Sequence, residues 1–267
     1  MKKIRIIVAA HKSYELPTEE IYLPLQVGAA GKAPIENTAD GTVLQRDDTG
    51  EQISAKNPMY CELTGLYWAW KNLDCDYCGL VHYRRHFLHP HRRGTGKKLA
   101  NLLDETALTH LLSRAEVVVP KKRRYYIETL ASHYAHTHEP DHLVQLRETI
   151  RVLCPEYEAV FAKVLKRRSA HMFNMFIMRK DILDAYCAWL FPILDNVCMR
   201  IDDEAYDAFS KRYPGRLSEL LLDVWLTANG IAYVECPTGM VGRVHWGRKI
   251  ASFLGARFFG RSYRSSF

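Results

Sequence analysis

Two guanidiniums stand directly behind a hydrophobic run in Asp76-Tyr77-Cys78-Gly79-Leu80-Val81-His82-Tyr83-Arg84-Arg85-His86-Phe87. Tyr77 to Tyr83 reads as a buried strand, which sets His82, Arg84 and Arg85 at its C-terminal end. Guanidinium forks match phosphate oxygens bidentately, so Arg84 and Arg85 suit a diphosphate clamp. A solvated basic edge is the structural alternative; the position at a strand end beside aromatic residues favours the clamp.

His82, His86, His89 and His91 follow one another closely enough to converge on a metal ion. No carboxylate or cysteine joins them, and the neighbouring arginines repel a cation, so no metal site is expected. Cys75 and Cys78 form a lone Cys-x-x-Cys, which is better read as two packed cysteines than as half of a zinc site. Glu62 and Thr64 lie in an unusually aromatic stretch, Asn57 to Asn72. A charge buried there needs a partner, and Arg84 is one candidate.

Glu219 has two readings. Arg216-Leu217-Ser218-Glu219 opens a helix with Ser218 as its cap, so an acid in the first turn complements the helix dipole. The functional alternative is a general base that deprotonates a sugar hydroxyl. Spacing alone favours the dipole.

These side chains need a frame that brings strand ends together. Ile4 to Ala9 is a β-branched run that opens into His11-Lys12-Ser13, as a buried parallel strand does. Leu16 to Ser54 reads as one long irregular segment. Beyond it come a helix at Asn57 to Asn72, the strand at Tyr77, a helix at Asn101 to Arg114 and a short strand at Val117 to Val119. Helices follow at His142 to Leu153 and Glu156 to Lys166. A strand at Phe173 to Met178 precedes a helix capped by Asp181, and a helix at Leu217 to Asn229 precedes a strand at Ile231 to Glu235. Strands alternating with helices predict a mostly parallel sheet flanked on both faces. One domain, residues 1–240, is the simpler organisation.

The chain has 267 residues, 48% hydrophobic and 25% charged, the balance of an ordinary globular protein. Its net charge of +7 calls for an anionic partner: nucleic acid, anionic lipid or a phosphate-bearing substrate. Neither a signal peptide nor a run approaching a membrane span is expected; the longest apolar candidate, Ala185 to Leu194, is broken by Pro192. A cytosolic location, or one peripheral to the inner face of the membrane, follows. Residues 241–267 carry Arg243, Arg248, Lys249, Arg257, Arg261 and Arg264 without an acid. Trp246, Ile250, Phe253, Leu254 and Phe258 share one helical face, the pattern of an amphipathic helix on anionic lipid. No zinc-finger or RNP motif is present, and the basic residues do not form one stripe, so a nucleic-acid partner is not expected; a basic scaffold is the rival reading.

Several ordered segments together resemble the DUF4422 family of bacterial capsular and exopolysaccharide biosynthesis proteins. They are Asp48-Thr49-Gly50, Ile53 to Asn57, Tyr60 to Thr64, Tyr67 to Asn72, Gly79 to Arg85, Val119 to Arg123, His133-Tyr134 with His138, Asn174 to Met178, Tyr186 to Phe191 and Ser218 to Leu221. The resemblance runs from Ile4 to about Pro237. It implies a GT-A-like nucleotide-sugar fold and transfer of galactofuranose or galactose from a UDP donor; the reading built on it is an inverting transferase, with a lipid-linked oligosaccharide as the acceptor that gives the basic amphipathic tail a purpose. Such folds usually carry Asp-x-Asp after a strand to hold a divalent metal on the diphosphate. Here the strand ends in His82-Tyr83-Arg84-Arg85, which implies that arginine neutralises the leaving group and that no metal is required. The resemblance also raises Glu219 as catalytic base, although the family's Glu-Arg is Glu219-Leu220 here. On this reading Ala10, His11, Lys12, Val27, Gly28 and Asn57 hold the nucleotide, and His82, Arg84, Arg85, Lys122 and Arg123 the diphosphate. His133, His138 and Asn174 line the acceptor side.

Overall fold

The structure, a computed structural model, describes residues 2–90 and 99–241. Its elements in chain order begin with strands β1 (Ile4–Ala10), β2 (Tyr22–Gln26) and β3 (Gln45–Arg46), then helices α1 (Asn57–Tyr60) and α2 (Leu63–Asn72). Strands β4 (Tyr77–His82) and β5 (Arg85–Phe87), helix α3 (Glu105–Leu112), and strands β6 (Val117–Pro120) and β7 (Arg123–Arg124) come next. Helices α4 (Leu130–Thr137), α5 (Asp141–Leu153) and α6 (Glu158–Leu165) lead to strands β8 (Ser169–Ala170) and β9 (Phe176–Arg179). The described part closes with α7 (Lys180–Arg200), α8 (Tyr213–Ala228), β10 (Val234–Cys236) and β11 (Thr238–Met240).

The main path of the sheet runs β10-β6-β9-β4-β1-β2-β3. Pairs β1–β2, β1–β4, β2–β3 and β6–β10 are parallel, while β9 runs against both β4 and β6. A hairpin-like extension of β4, strand β5, takes β11 as an antiparallel partner. The order obeys the side-chain alternation of buried strands. Ile7 and Ala9 of β1 enter one apolar layer with Leu66, Leu190 and Leu221 of α2, α7 and α8. Ile4, Ile6 and Val8 enter the other, with Leu108, Leu111 and Leu112 of α3. Helices therefore cover both faces, as the alternation in the sequence implies.

Several boundaries differ from the sequence reading. The long irregular segment contains β2, buried beside β1; Pro24 hides it, yet β3 pairs only with Leu25 and Gln26, so the proline lies where that ladder has not begun. The helix at Asn57 to Asn72 is two pieces, broken at Cys61, whose φ is 52°. Helix α7 begins at Lys180 with Arg179 as its cap residue rather than Asp181, and it continues through Pro192 to Arg200. Among the described residues it is the one helix long and apolar enough to cross a membrane by length and composition, contrary to the expectation that no such stretch exists. Its Leu183, Tyr186, Leu190, Leu194 and Val197 are nevertheless packed in the protein's own core. Helix α8 starts at Tyr213, so Ser218 is an interior residue and not a cap, and Glu219 falls in the second turn. His91 and the amphipathic tail lie outside the described residues.

Candidate active site

Strands β1, β2, β4 and β6 direct their C-terminal ends to one edge of the sheet, and antiparallel β9 enters from that edge. Ligands of open α/β sheets bind outside such ends. Ala10-His11, Val27-Gly28, His82-Tyr83, Pro120-Lys121 and Phe173-Asn174 are thereby brought to a common border.

On the β1–β2 side the organiser is Asp47, fully buried. Its carboxylate accepts from Gly28 N (2.8 Å), Ala29 N (3.0 Å), Ser54 Oγ (2.5 Å) and Thr64 Oγ1 (2.7 Å). Four donors compensate the desolvation of the charge and fix the loop after β2 against α2. Gly28 has φ 61°, and a β-carbon there would stand 2.4 Å from Asn57 Cγ. Asn57 itself donates to Cys61 O and Thr64 Oγ1 (2.7 and 3.2 Å) and so supports the break at Cys61. His11 packs edge-on to Tyr83 with centroids 5.0 Å apart, and Lys12 Nζ lies 5.7 Å from the same ring.

The break at Cys61 delivers Glu62 to the centre of the edge. Its Oε1 accepts from Asn174 Nδ2 (2.7 Å) and stands 4.0 Å from His82 Nε2. Asn174 also donates to Gly215 O (2.8 Å), and Ser218 Oγ donates to Asn174 Oδ1 (2.7 Å). Phe173 and Asn174 both adopt left-handed backbone, φ 82° and 50°. For a bulky residue such as Phe this costs on the order of 1–3 kcal/mol and persists only where surroundings enforce it. The enforcement is visible: Phe173 O meets His82 Nε2 at 2.5 Å, Phe173 N–H donates to the Glu219 carboxylate, and Arg85 lies 3.6 Å over the Phe173 ring. Burial and the neighbouring Glu62 charge push the Glu219 carboxyl up to about 7, against the pull of the Phe173 N–H and of Arg85 and Arg123. That value suits a proton acceptor working near neutrality.

Cations surround the two carboxylates. Burial lowers Arg85 to about 10, with Glu219 opposing the fall. Arg84 Nε is buried and has no hydrogen-bond partner among the described residues, and the same holds for Arg216 Nη2. Arg216 lies one turn before Glu219 on the other side of Ser218. Its Nη1 donates to His138 Nδ1 (2.9 Å), and its guanidinium sits 3.8 Å over the Phe209 ring. Burial first, then the Arg216 charge, lowers His138 to about 3, so the imidazole is neutral and Nδ1 is free to accept. Arg212, one turn earlier, donates to Cys61 Sγ at 3.0 Å and sits within the field of Glu62. Buried donors left unpaired are costly, and phosphate oxygens are acceptors of the right charge to satisfy them.

The sequence profile of the family described as a domain of unknown function, DUF4422, matches residues 5–230. The chain belongs to the DUF4422 family. Among solved structures it is similar to the apo form of the bifunctional glycosyltransferase WbbM, at 28% identity and a TM-score of 0.78. The match covers 90% of this chain and 46% of that one, so this chain spans less than half the length of its structural relative. No curated protein matches. The fold of this DUF4422 chain is thus the glycosyltransferase-like α/β fold, and its family is related to glycosyltransferases.

Within that fold the residues singled out in the sequence divide into three groups. His82, Arg85, Arg123, Asn174 and Glu219 surround Phe173 and Glu62, and His133 and His138 lie beside them. His133 Nδ1 meets Glu128 at 3.0 Å, and its ring lies 4.2 Å from Tyr125, which feels the Glu219 charge. Ala10, Val27, Gly28 and Asn57 form the backbone and supports of the β1–β2 border. Lys122 departs from its neighbour Arg123: its Nζ donates to Tyr233 OH (3.1 Å) near the start of β10. Lys122 lies in the link between β6 and β7, whereas Arg123 is the first residue of β7. The suggested Glu62–Arg84 pair does not form, since Asn174 occupies Glu62. The histidines also diverge: His86 is buried near Tyr22, and His89 approaches Asp104 at 3.8 Å. Cys75 and Cys78 are free, and both are buried. Arg212 and Arg216 are not marked by the sequence pattern, because the helix begins at Tyr213, four residues before the Leu217 that the pattern predicts. A Pro at its second position, Pro214, was the available signal.

Proposed function

We propose that this chain is a glycosyltransferase that moves a sugar from a UDP donor to a hydroxyl of a lipid-linked oligosaccharide, on the cytosolic face of a bacterial membrane. The observation that carries the reading is the placement of one proton-accepting carboxylate, Glu219, among arginines at the C-terminal edge of a parallel sheet. In the proposed step Glu219 takes the proton of the acceptor hydroxyl while its oxygen attacks the anomeric carbon. The bond from that carbon to the diphosphate breaks, and its electron pair leaves with UDP. Direct attack inverts the anomeric configuration. Arg84, Arg85 and Arg216, with Arg123 and Arg212 at the rim, offset the charge developing on the leaving diphosphate. His11, Lys12 and Gly28 border the nucleotide, and His133, His138 and Asn174 the acceptor. Galactofuranose or galactose is the sugar proposed, in surface-polysaccharide synthesis.

Guanidiniums crowd this border, and their charge works against a divalent cation beside Glu62 and Glu219. The proposal therefore routes no step through a metal. Calorimetric titration of UDP-sugars in chelator, and again in manganese, tests this. Heat of equal size in both supports the arginine clamp; binding that requires manganese would sink it. Failure to bind any nucleotide sugar while binding duplex nucleic acid would replace the enzyme with the basic-scaffold reading.

A further inference from the structure

Strands β7 and β8 pair as a separate two-stranded ribbon, Arg123 opposite Ala170 and Arg124 opposite Ser169. The turn beyond β7 holds Tyr126 in left-handed backbone at φ 55°, and Arg168 Nη1 donates to Tyr126 O (3.1 Å). This conformation turns two large side chains outward: Tyr126 is 76% exposed and Ile127 61%. A depression of about 290 Å3 beside them is lined by Arg124, Tyr126, Arg168 and Ser169. Residues 121–127 and 163–169 contain no acid. Among the described residues neither Arg124, Lys166 nor Arg168 pairs with a carboxylate. Tyr125, between the exposed Arg124 and Tyr126, faces the other way, toward His133 and the Glu219 field. One ribbon therefore joins the rim of the site to an exposed basic and apolar tip.

We infer that this tip docks on an anionic lipid surface, with Tyr126 and Ile127 entering the interface and Arg124, Lys166 and Arg168 against headgroup phosphates. An aromatic and a branched apolar residue flanked by cations is the arrangement that partitions into a charged bilayer interface. A nucleic-acid surface would engage the cations and leave Ile127 in water. A headgroup phosphate also matches the depression between Arg124 and Arg168. Docking by this ribbon is distinct from any contribution of residues 242–267, and it would hold the mouth of the site toward the lipid.

The experiment is co-sedimentation of the full chain with vesicles of phosphatidylcholine containing phosphatidylglycerol, and with phosphatidylcholine alone. Residues 242–267 are kept in every variant. Wild type is expected to sediment with the anionic vesicles and far less with the neutral ones. Tyr126→Ser with Ile127→Ser is expected to weaken binding by about tenfold or more. Removal of each cation costs about fivefold. Because Arg168 also supports the turn, Lys166→Ser and Arg124→Ser are the charge variants, and near-UV dichroism checks the fold. Wild-type affinity in all these variants would overturn the proposal. So would unchanged vesicle binding with lost binding to a single-stranded RNA oligomer. The assay needs no sugar transfer, so its failure is separate from failure of the transferase reading; UDP binding should be unchanged in every variant.

Discussion

Helix α8 carries two carboxylates one turn apart, Glu219 and Asp223, in opposite surroundings. Asp223 is buried and fully engaged: its oxygens receive His171 N (3.1 Å) and His171 Nδ1 (2.5 Å), while His171 Nε2 meets Glu235 at 3.1 Å. That network ties α8 to β8 and β10. Glu219 has one backbone donor, from a residue held in strained conformation, and a second carboxylate nearby. The same helix thus anchors itself at one turn and holds an unsatisfied charge at the previous one. Stability is concentrated where the charge is compensated, and the chemistry of the proposed transfer is assigned to the turn where it is not.

The largest expected effect separates the two in activity. Glu219→Gln should lower kcat by about 10²–10⁴-fold, the usual contribution of a general base. In the wild type, activity should rise with pH through about 7, because the base must be ionised. The substituted enzyme should lose that limb, and a retained limb would assign it to another group. Stability should move the other way. A carboxyl whose folded pKa is raised contributes stability that is complete below about 4.5 and lost as pH rises through about 7. Glu219→Gln should therefore be more stable than wild type at pH above 7, by roughly 3 kcal/mol, and not at low pH.

Asp223→Ala should do the reverse. It leaves His171 buried against one remaining carboxylate, and breaking a buried pair in this way costs about 3–5 kcal/mol. Urea denaturation measures the loss, and turnover per folded molecule should stay near wild type where the variant is folded. If Asp223→Ala and Glu219→Gln shift stability in the same direction at pH 8, the contrast between the two turns fails.

Much of this frame was legible in the sequence. The β-branched run at Ile4 and the apolar run into His82-Tyr83-Arg84-Arg85 announce two buried strands and a cationic end to the second; that the two are neighbours is seen only in the fold. What the sequence hid depends on backbone conformations with no sequence punctuation. Cys61, Phe173 and Asn174 take positive φ without being glycine, and those three residues bring Glu62, Asn174 and Glu219 together. A continuous helix through Cys61 would carry Glu62 elsewhere, and a strand starting at Phe173 would remove the donor to Glu219. Ser218 resembles a cap from its neighbours alone; only the packing of Tyr213 and Pro214 shows that the helix has already begun.

The smallest expected effect makes the division finest, because it falls between adjacent residues. Lys122 belongs to the anchored side: it holds Tyr233, whose ring packs 4.8 Å from His171. Arg123 belongs to the reactive side, stacked 5.2 Å from Tyr125 and within the field of Glu219. Lys122→Ala should leave KM and kcat unchanged and cost about 0.5–1 kcal/mol through a single partly buried hydrogen bond. Arg123→Ala should leave stability unchanged and raise the KM for the donor by about fivefold, since an exposed cation at the rim contributes through a modest charge interaction. A double substitution should show both effects added, as the two side chains share no partner. Coupling between them, measured as a departure from additivity above about 0.5 kcal/mol, would mean that the anchored and reactive halves of α8 are one network.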